Sequence, residues 1–569
     1  MGIKLGNGTV NKIKLGTTDI KKVYLGNTLI WSDAPAALDT IMVVKTDNSG
    51  LTLSNTIRLP VGASDAIVYW GDGTSTIWKS NGPPYTTPQH TYPAPGTYEI
   101  KITGTVNGFS FLKTYWDEKN DALKLLEIKQ WGAGFRLGNK GGYFYGCQNL
   151  KITATDSLNL TGTTNMSYAF NDCYSITEIP NISNWDVSNV TNMSSMFNAT
   201  GNNNSLFNPD LSTWNVSKVI NMSGMFRYTK FNNPIGNWNV SNVTDMSYMF
   251  SYAYYFNQPI GNWDVSNVIN MSYMFENTTS AQGQSLATFN QPIGTWNVSK
   301  VTNMSYMFLN SYRFNKDISS WNVGNVTNIK GMFYNAYYFN QNIDSWNVSN
   351  VTDMSVTFYG LWNFNQPLNN WNVGKVTNMD SMFAYSTKFN QPLNNWNVSN
   401  VTNMNNMFFK CELFNQDISS WNVSKVTTMY QMFTQARAFN QPLNNWDVSN
   451  VTTMYEMFNM ANVFNQDLSA WNVSKVTTMY RMFYAAYAFN QDLSAWNPIL
   501  VTTMYQMLYS VTLSTANYDA LLISWASKAV KTSVTFHAGS SKYTIATAGA
   551  ARTVLAGTKS WTITDGGGI

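Results

Sequence analysis

The chain has 569 residues, of which 44% are apolar and only 12% are charged, about half the usual charged share of roughly 25%. Its net charge of +4 is spread too thinly to form the clustered basic face that nucleic-acid binding requires. The composition therefore excludes a nucleic-acid groove and predicts a surface of neutral polar groups, while the aromatic share of 15% suits both cores and recognition surfaces.

The first segment, residues 1–37, opens with a decapeptide pattern, seen in Ile3-Lys-Leu-Gly6, Ile13-Lys-Leu-Gly16 and Val23-Tyr-Leu-Gly26. Alternating apolar residues followed by Gly, Asn or Thr predict short strands with tight turns. Residues 1–32 are too few to bury a core alone, so we expect them to anchor the chain to a partner or to copies of itself. The pattern resembles the start of many phage tail proteins.

We expect neither a signal peptide nor a membrane-spanning helix. The N-terminus lacks a continuous apolar stretch, and no run of about 18 apolar residues occurs in the chain. The first expectation holds unless a signal has been removed from the sequence.

Residues 38–122 predict an all-β domain, with strands at 40–45, 56–59, 66–70 and 97–103. The motif Trp70-Gly-Asp-Gly-Thr74 contains an Asp-Gly hairpin turn, and His90-Thr-Tyr-Pro-Ala-Pro-Gly-Thr-Tyr98 follows it. Together these motifs resemble the PKD family of immunoglobulin-like sandwiches. The resemblance implies that Tyr92 ties a loop to the backbone through its hydroxyl. Asp72 has two interpretations, turn chemistry or metal ligation, and turn chemistry is favoured.

Residues 123–510 are dominated by a repeat. A Trp recurs at Trp296, Trp321 and Trp346 and then at the same constant interval up to Trp496, and an insertion near Ser280–Ala287 lengthens one earlier step. The consensus is Trp-Asn-Val-Ser-x-Val-Thr-x-Met-x-x-Met-Phe-x-x-Ala-x-x-Phe-Asn-Gln. The Trp-x-Val alternation predicts a strand, and apolar residues three or four apart predict one helical face. The expected fold class is a leucine-rich-repeat-like solenoid of about 15 coils, with a short strand and a short helix in each coil.

One polar position of the repeat is predicted to be structural. A Phe-Asn pair returns in each repeat, for example at Asn390 and Asn415. A buried Asn at this point can bond the backbone of the coils on either side and satisfy amides that no sheet reaches.

The consensus and the segment Phe289-Asn-Gln-Pro-Ile293 resemble the BspA-type surface-protein repeats, also called the lipoprotein 25/26-residue repeats. Members of that family are largely bacterial surface adhesins, so the resemblance implies binding rather than catalysis. Residues 511–569 depart from the repeat. They predict a C-terminal α/β cap, with a helix at 513–525, strands near 534–538 and 561–564, and a second helix between those strands.

The sequence offers no site for catalysis, and we expect neither an enzyme nor a cofactor or metal. The two histidines, His90 and His537, lie in opposite terminal segments. Asp186, Asp264 and Asp447, which follow the repeat Trp, alternate with Asn at the same position. A catalytic carboxylate would not tolerate that exchange.

Aromatic residues at variable positions of the repeat are the candidates for a recognition face, because packing explains the invariant positions. The alternative is that some of these tyrosines only pack between adjacent coils. Tyr430, Tyr455, Tyr480 and Tyr505 are predicted to form one stripe, and Tyr254, Tyr255, Tyr337, Tyr338 and Trp362 to contribute to a second. The complete candidate face is Tyr248, Tyr254, Tyr255, Tyr273, Tyr306, Tyr337, Tyr338, Trp362, Tyr430, Tyr455, Tyr480 and Tyr505.

These features predict a non-enzymatic binding protein. The leading hypothesis is a bacteriophage virion fibre or tail adhesin on the virion surface. Its residues 1–32 would join other virion proteins, its repeats would bind a glycan or protein of the host surface, and the chain would form a homo-oligomer. The alternative is a bacterial cell-surface adhesin that binds host or matrix glycans or proteins. Neither hypothesis includes nucleic acid or membrane insertion.

Overall fold

A computed structural model describes residues 39–79, 87–112, 120–201, 207–277 and 287–569, together with four short strands between residues 13 and 32. The chain divides into two compact units. Unit 1 comprises Met1–Asn221 and Met225–Asn233, and unit 2 comprises Met222–Gly224 and Pro234–Ile569. The four domains predicted from the sequence, with boundaries near residues 37, 122 and 510, remain predictions.

The described strands of unit 1 lie between Ile13 and Ile152. They are β1 (Ile13–Leu15), β2 (Thr18–Ile20), β3 (Lys22–Leu25), β4 (Thr28–Ser32), β5 (Thr40–Lys45), β6 (Thr56–Arg58), β7 (Val61–Tyr69), β8 (Ser75–Lys79), β9 (Gln89–Thr91), β10 (Thr97–Phe109), β11 (Leu125–Gln130), β12 (Phe135–Arg136) and β13 (Lys151–Ile152). Short 3₁₀ turns occupy Ala122–Lys124 and Ile182–Asn184. β1 pairs with β2, and β3 with β4, both antiparallel, so strands do form within the decapeptide segment.

β5 to β13, except β6 and β9, form one mixed seven-stranded sheet in the order β13-β11-β5-β10-β7-β8, with β12 beside β10. The predicted strands are confirmed at 40–45, and the other three lie within or overlap β6, β7 and β10. The predicted immunoglobulin-like sandwich is wrong. Within the described ranges the sheet that contains β6 and β9 has only these two strands, while β11 pairs with β5 and extends the seven-stranded sheet to β13.

Two details of this region were predicted correctly. The Tyr92 hydroxyl donates to the Trp70 carbonyl at 2.8 Å, as expected of a corner tyrosine. Asp72 acts in the turn between β7 and β8, where its Oδ1 accepts the Thr74 hydroxyl at 2.6 Å and the Thr74 amide at 3.0 Å. These bonds, with a contact of Oδ2 to His90 Nε2 at 2.7 Å, lower the pKa of Asp72 to about 2.

The repeats contain turns where helices were predicted. In the repeat that starts at Trp421, Gln431 and Gln435 adopt left-handed backbone angles, with φ of 53° and 58°. Their amides donate to the carbonyls of Tyr455 and Asn459 in the next repeat, at 2.9 and 2.7 Å. The Thr434 amide, in contrast, donates back to Gln431 within the same repeat at 3.1 Å. Alternate amides thus bond forward to the next repeat and backward across a three-residue turn.

This pattern overturns the predicted solenoid with a strand and a helix in each coil. An α-helix needs each amide to bond four residues back, and a left-handed residue interrupts that series. The strand predicted at the Trp-x-Val alternation is wrong as well, since residues 421–423 form no strand, and neighbouring repeats meet instead through single-residue parallel bridges further along, such as Thr428 with Thr453. Among the described residues, the helices are α1 (Thr515–Ser527), α2 (Ile545–Thr553) and the short helical turns, so the chain consists mostly of turns and of strands in mixed sheets.

The apolar positions of the repeat form the core, as predicted. Trp421, Val423, Val426, Met429 and Met432 are each at most 3% exposed. The Trp421 indole also donates to the carbonyl of Leu393 in the preceding repeat at 3.0 Å. The same bond recurs from Trp263 to Trp496, which explains why the indole is kept at this position.

The asparagines of the Phe-Asn pairs form the predicted asparagine ladder, in which the side chains bond the backbone of the next repeat. Asn390 Oδ1 accepts the Asn415 amide of the next repeat at 2.9 Å and the side-chain amide of Gln416 at 2.8 Å. The predicted burial is wrong, because these asparagines are half-buried or exposed. They satisfy backbone amides at the surface rather than in the core.

The helices and strands predicted near the C-terminus are confirmed. α1 begins after Ser514, whose side chain accepts the Asn517 amide, and α2 lies between β15 (Thr535–His537) and β16 (Thr562–Thr564). A π-helical turn, Val554–Thr558, follows α2. β15 pairs in parallel with β16 and with β14 (Thr503–Met504) of the last repeat, so this segment continues the pairing of unit 2.

A substitution by Gly at a left-handed position distinguishes a turn from a helix, because it should raise the free energy of unfolding in a turn and lower it in a helix. We expect Gln435→Gly to stabilise the protein by about 0.5–1 kcal/mol, because the left-handed conformation costs roughly 1–2 kcal/mol with a side chain, partly offset by the entropy of Gly. A helix interior would instead lose about 1 kcal/mol. Urea unfolding measures the difference. Arg437→Gly, at an exposed position without a left-handed φ, is the control and should destabilise.

Candidate functional site

The C-terminal candidate tyrosines form a continuous stack, the C-terminal tyrosine line, made of Tyr430, Tyr455, Tyr480 and Tyr505. Adjacent rings are nearly parallel, with centroids 4.8, 4.7 and 5.4 Å apart. The first three are half-buried, and Tyr505 at the end is 43% exposed. The inner rings therefore cover each other's faces and leave their edges to solvent.

A second stack contains Tyr248, Tyr273 and Tyr306, with centroids 4.6 and 4.9 Å apart. These tyrosines occupy the left-handed position ten residues after the repeat Trp, whereas the C-terminal line lies one residue earlier. The stack ends at Gly331, where an added Cβ would lie 2.3 Å from the Tyr306 ring. A side chain at Gly331 would therefore displace that ring.

Of the second predicted stripe, Tyr337 and Trp362 stack on each other. Tyr337 stacks on Trp362 at 4.7 Å and on Tyr312 at 4.3 Å. Trp362 ends this stack and is 53% exposed. Tyr338, which follows Tyr337 in the chain, is 60% exposed. Tyr255 is also exposed, while Tyr254 is half-buried and lies edge-on to Tyr252. Most of the predicted insertion loop, residues 280–286, lies outside the described residues.

Sequence reasoning missed two further lines. Tyr334, Tyr359 and Tyr385 form one, with centroids 4.3 and 5.2 Å apart. Tyr484 and Tyr509 form the other, 4.8 Å apart. The signal was present, since the members of each line occupy equivalent or adjacent positions of successive repeats.

A polar line accompanies the C-terminal tyrosine line at the next position of the chain. Gln431 bonds Glu456, Glu456 pairs with Arg481 at 3.7 Å, and Arg481 Nε donates to Gln506 Oε1 at 2.7 Å. The Arg481 guanidinium also lies 5.1 Å from the ring centre of Tyr480. The four repeats thus present an aromatic and a polar line side by side.

The hydroxyls of Tyr273, Tyr430 and Tyr455 remain protonated at neutral pH. Burial raises the pKa of Tyr273 to about 12 and also raises the pKa of Tyr430 and Tyr455. Each hydroxyl is therefore a neutral donor and acceptor.

The described part of the chain contains no cluster of three His, Cys, Asp or Glu that would hold a metal ion. Asp264 Oδ1 accepts the Ser266 amide, and Asn297 Oδ1 accepts the Ser299 amide in the same way, which explains why Asp and Asn exchange after the repeat Trp. Within the described ranges, no helix has the length and apolar character needed to cross a membrane.

The profile of one protein family, described as "Mycoplasma protein of unknown function, DUF285", matches five overlapping segments: 139–230, 164–287, 283–369, 352–461 and 441–545. Together they span residues 139–545, more than half of the chain. The chain belongs to the DUF285 family. The DUF285 segments coincide with the repeats and reach into the C-terminal segment. Among curated proteins, no sequence matches the chain.

The stacking in this DUF285 chain predicts unequal costs for removing its tyrosines. Tyr455 has two ring neighbours in the C-terminal tyrosine line, and Tyr505 has one. With about 0.5–1.5 kcal/mol for each aromatic pair, Tyr455→Ser should cost about 1–3 kcal/mol of unfolding free energy and Tyr505→Ser about half of that. Urea unfolding of both variants provides the comparison. Equal and negligible costs would show that the rings do not stack in solution.

Proposed function

We propose that this chain is a non-enzymatic binding protein whose repeats attach it to a cell surface. The observation that carries the proposal is the C-terminal tyrosine line, in which four tyrosines present edges and hydroxyls in register along four repeats. Tyr and Trp provide large contact areas at low entropic cost, which suits them to recognition. The low charge of the chain favours binding that depends weakly on salt.

The more specific proposal is a bacteriophage virion fibre or tail adhesin. It is supported by the resemblance of the decapeptide segment to the start of phage tail proteins and of the repeats to BspA-type surface adhesins. A bacterial cell-surface adhesin is the second candidate, and the resemblance of the repeats alone favours it. The two candidates share the binding surface and differ in what the N-terminal segment joins.

Attachment of the labelled protein to bacterial cells tests the binding surface. We expect replacement of the four tyrosines of the C-terminal line by Ser to lower attachment about tenfold or more, as loss of aromatic hot spots does. A variant with Phe at these positions keeps the stack, so it should remain as stable as the original chain. Changing Thr427, Thr452, Thr477 and Thr502 to Ser in the same repeats is the matched control.

Attachment is measured at a temperature at which the tryptophan emission of every variant shows that it is folded. Unchanged attachment of the folded Ser variant would contradict a role of the line in binding.

A separate deletion tests the N-terminal anchor. β1 to β4 form only two-stranded sheets, and such hairpins are marginal on their own in water. We therefore expect removal of residues 1–32 to leave the melting temperature of the remaining chain nearly unchanged while abolishing oligomers or incorporation into a particle. Sedimentation and particle incorporation are the measurements. Normal assembly of the shortened chain would refute the anchor.

A further inference from the structure

The last two repeats bring aromatic and polar side chains together around one arginine. The Arg481 guanidinium lies between two rings, 5.1 Å from the centre of Tyr480 and 5.2 Å from the centre of Tyr484. One repeat further on, Gln506 lies between Tyr505 and Tyr509 in sequence and bonds Arg481 at 2.7 Å. We call the following residues the terminal strip: Tyr480, Arg481, Tyr484, Tyr505, Gln506 and Tyr509.

The end of the strip has an open aromatic face, which Tyr455 and Tyr480 within the same line lack. Within a stack, a ring with two neighbours has both faces covered. Tyr480 is the ring neighbour of Tyr505 on one side, and Tyr505 has no second ring neighbour in the described part of the chain. Its exposure of 43% agrees with an open face, and Tyr509 beside it is 38% exposed.

The polar centre of the strip is electrically neutral but rich in hydrogen-bonding groups. Glu456 lies 3.7 Å from Arg481 and balances its charge. Gln506 uses its carbonyl oxygen for Arg481, which leaves the side-chain NH₂ group for a ligand. The strip therefore offers donors, hydroxyls and a ring face, with no unbalanced charge to attract an anion.

The backbone of the strip is already engaged between repeats. The Arg481 amide donates to the Tyr505 carbonyl, and the Ala485 amide donates to the Tyr509 carbonyl. Addition of an extended peptide to a sheet edge needs free backbone groups, so peptide is a poor fit. A sugar fits better, because its C–H face packs on an aromatic ring while its hydroxyls exchange hydrogen bonds with amide and guanidinium groups.

We propose that the terminal strip is a binding site for a neutral carbohydrate, with Tyr505 stacking on the sugar ring and Gln506 and Arg481 bonding its hydroxyls. This proposal rests on the proposed binding function and specifies its ligand class. It places the strongest contact at the end of the C-terminal tyrosine line rather than along its length.

Calorimetric titration of the full chain tests the site, with maltohexaose, cellohexaose, chitohexaose and mannohexaose as neutral probes. An oligogalacturonate and a mixed peptide pool represent anions and peptides. We expect at least one neutral probe to bind, and Tyr505→Ala to weaken its affinity about tenfold. Tyr505→Phe keeps the ring face and should retain most of the affinity. Tyr487→Ala removes an exposed tyrosine of the last repeats that lies outside the line, so it is the matched control and should change the affinity less than about twofold.

The outcomes separate this proposal from the general one. Cell attachment that depends on the tyrosine line, combined with no binding of any neutral probe, overturns the carbohydrate site and leaves the binding function intact. Binding of only the anion or the peptides overturns it as well. So does binding of a neutral probe that Tyr505→Ala and Gln506→Ala leave unchanged. If the unaltered chain neither attaches to cells nor binds any sugar, both proposals are refuted.

Discussion

The repeats depend on one constraint, which is that every second backbone amide of the turn segment donates to a carbonyl of the next repeat. The amides between them bond three residues back, so the turn and the contact to the next repeat form together. Buried backbone groups must find partners, and here neither a continuous helix nor a continuous sheet supplies them. This bonding fixes the turn segment rather than the length of the whole repeat, because the Tyr273 amide still reaches the Ser305 carbonyl at 2.9 Å across the longer step between Trp263 and Trp296.

Equivalent side chains fall into columns because the backbone register is fixed. The Trp421 and Trp446 rings are parallel within 3°, and each indole reaches a carbonyl of the preceding repeat. The same register stacks asparagines and tyrosines at the surface. The core column gains stability from burial and from a satisfied indole, whereas a surface column gains it from ring stacking or hydrogen bonds between neighbouring repeats. Surface columns can therefore change residue type between repeats without loss of the fold.

The features that depend on the repeat period could be predicted from the sequence. The features that depend on backbone φ angles could not. The core positions, the asparagine ladder and the C-terminal helices follow from the spacing of apolar and polar residues. Helix and turn were confused because both place apolar residues three or four apart. The sequence signal for the turn lay in other repeats, where Gly224, Gly331 and Asn406 occupy this left-handed position. Gln431, Glu456 and Arg481 hold the same position in later repeats and hide the signal there. The sandwich failed because the sequence does not show which sheet edge β11 covers. For the candidate site, the period predicted which tyrosines share a column. It did not predict that their faces would be covered by one another.

That covering limits how a periodic surface can recognise a ligand. Each ring added to a column increases stacking and covers the face of its neighbour. A long line of tyrosines therefore exposes only ring edges along its length. An open face is left only where the column ends, as at Tyr505 and Trp362, both of which are exposed. The polar line beside the C-terminal column follows the same logic, because its inner members bond one another and its last member, Gln506, keeps its side-chain NH₂ group for a ligand. Regular repeats thus build the surface, and the interruption of the repeat creates the place where a ligand can bind most tightly.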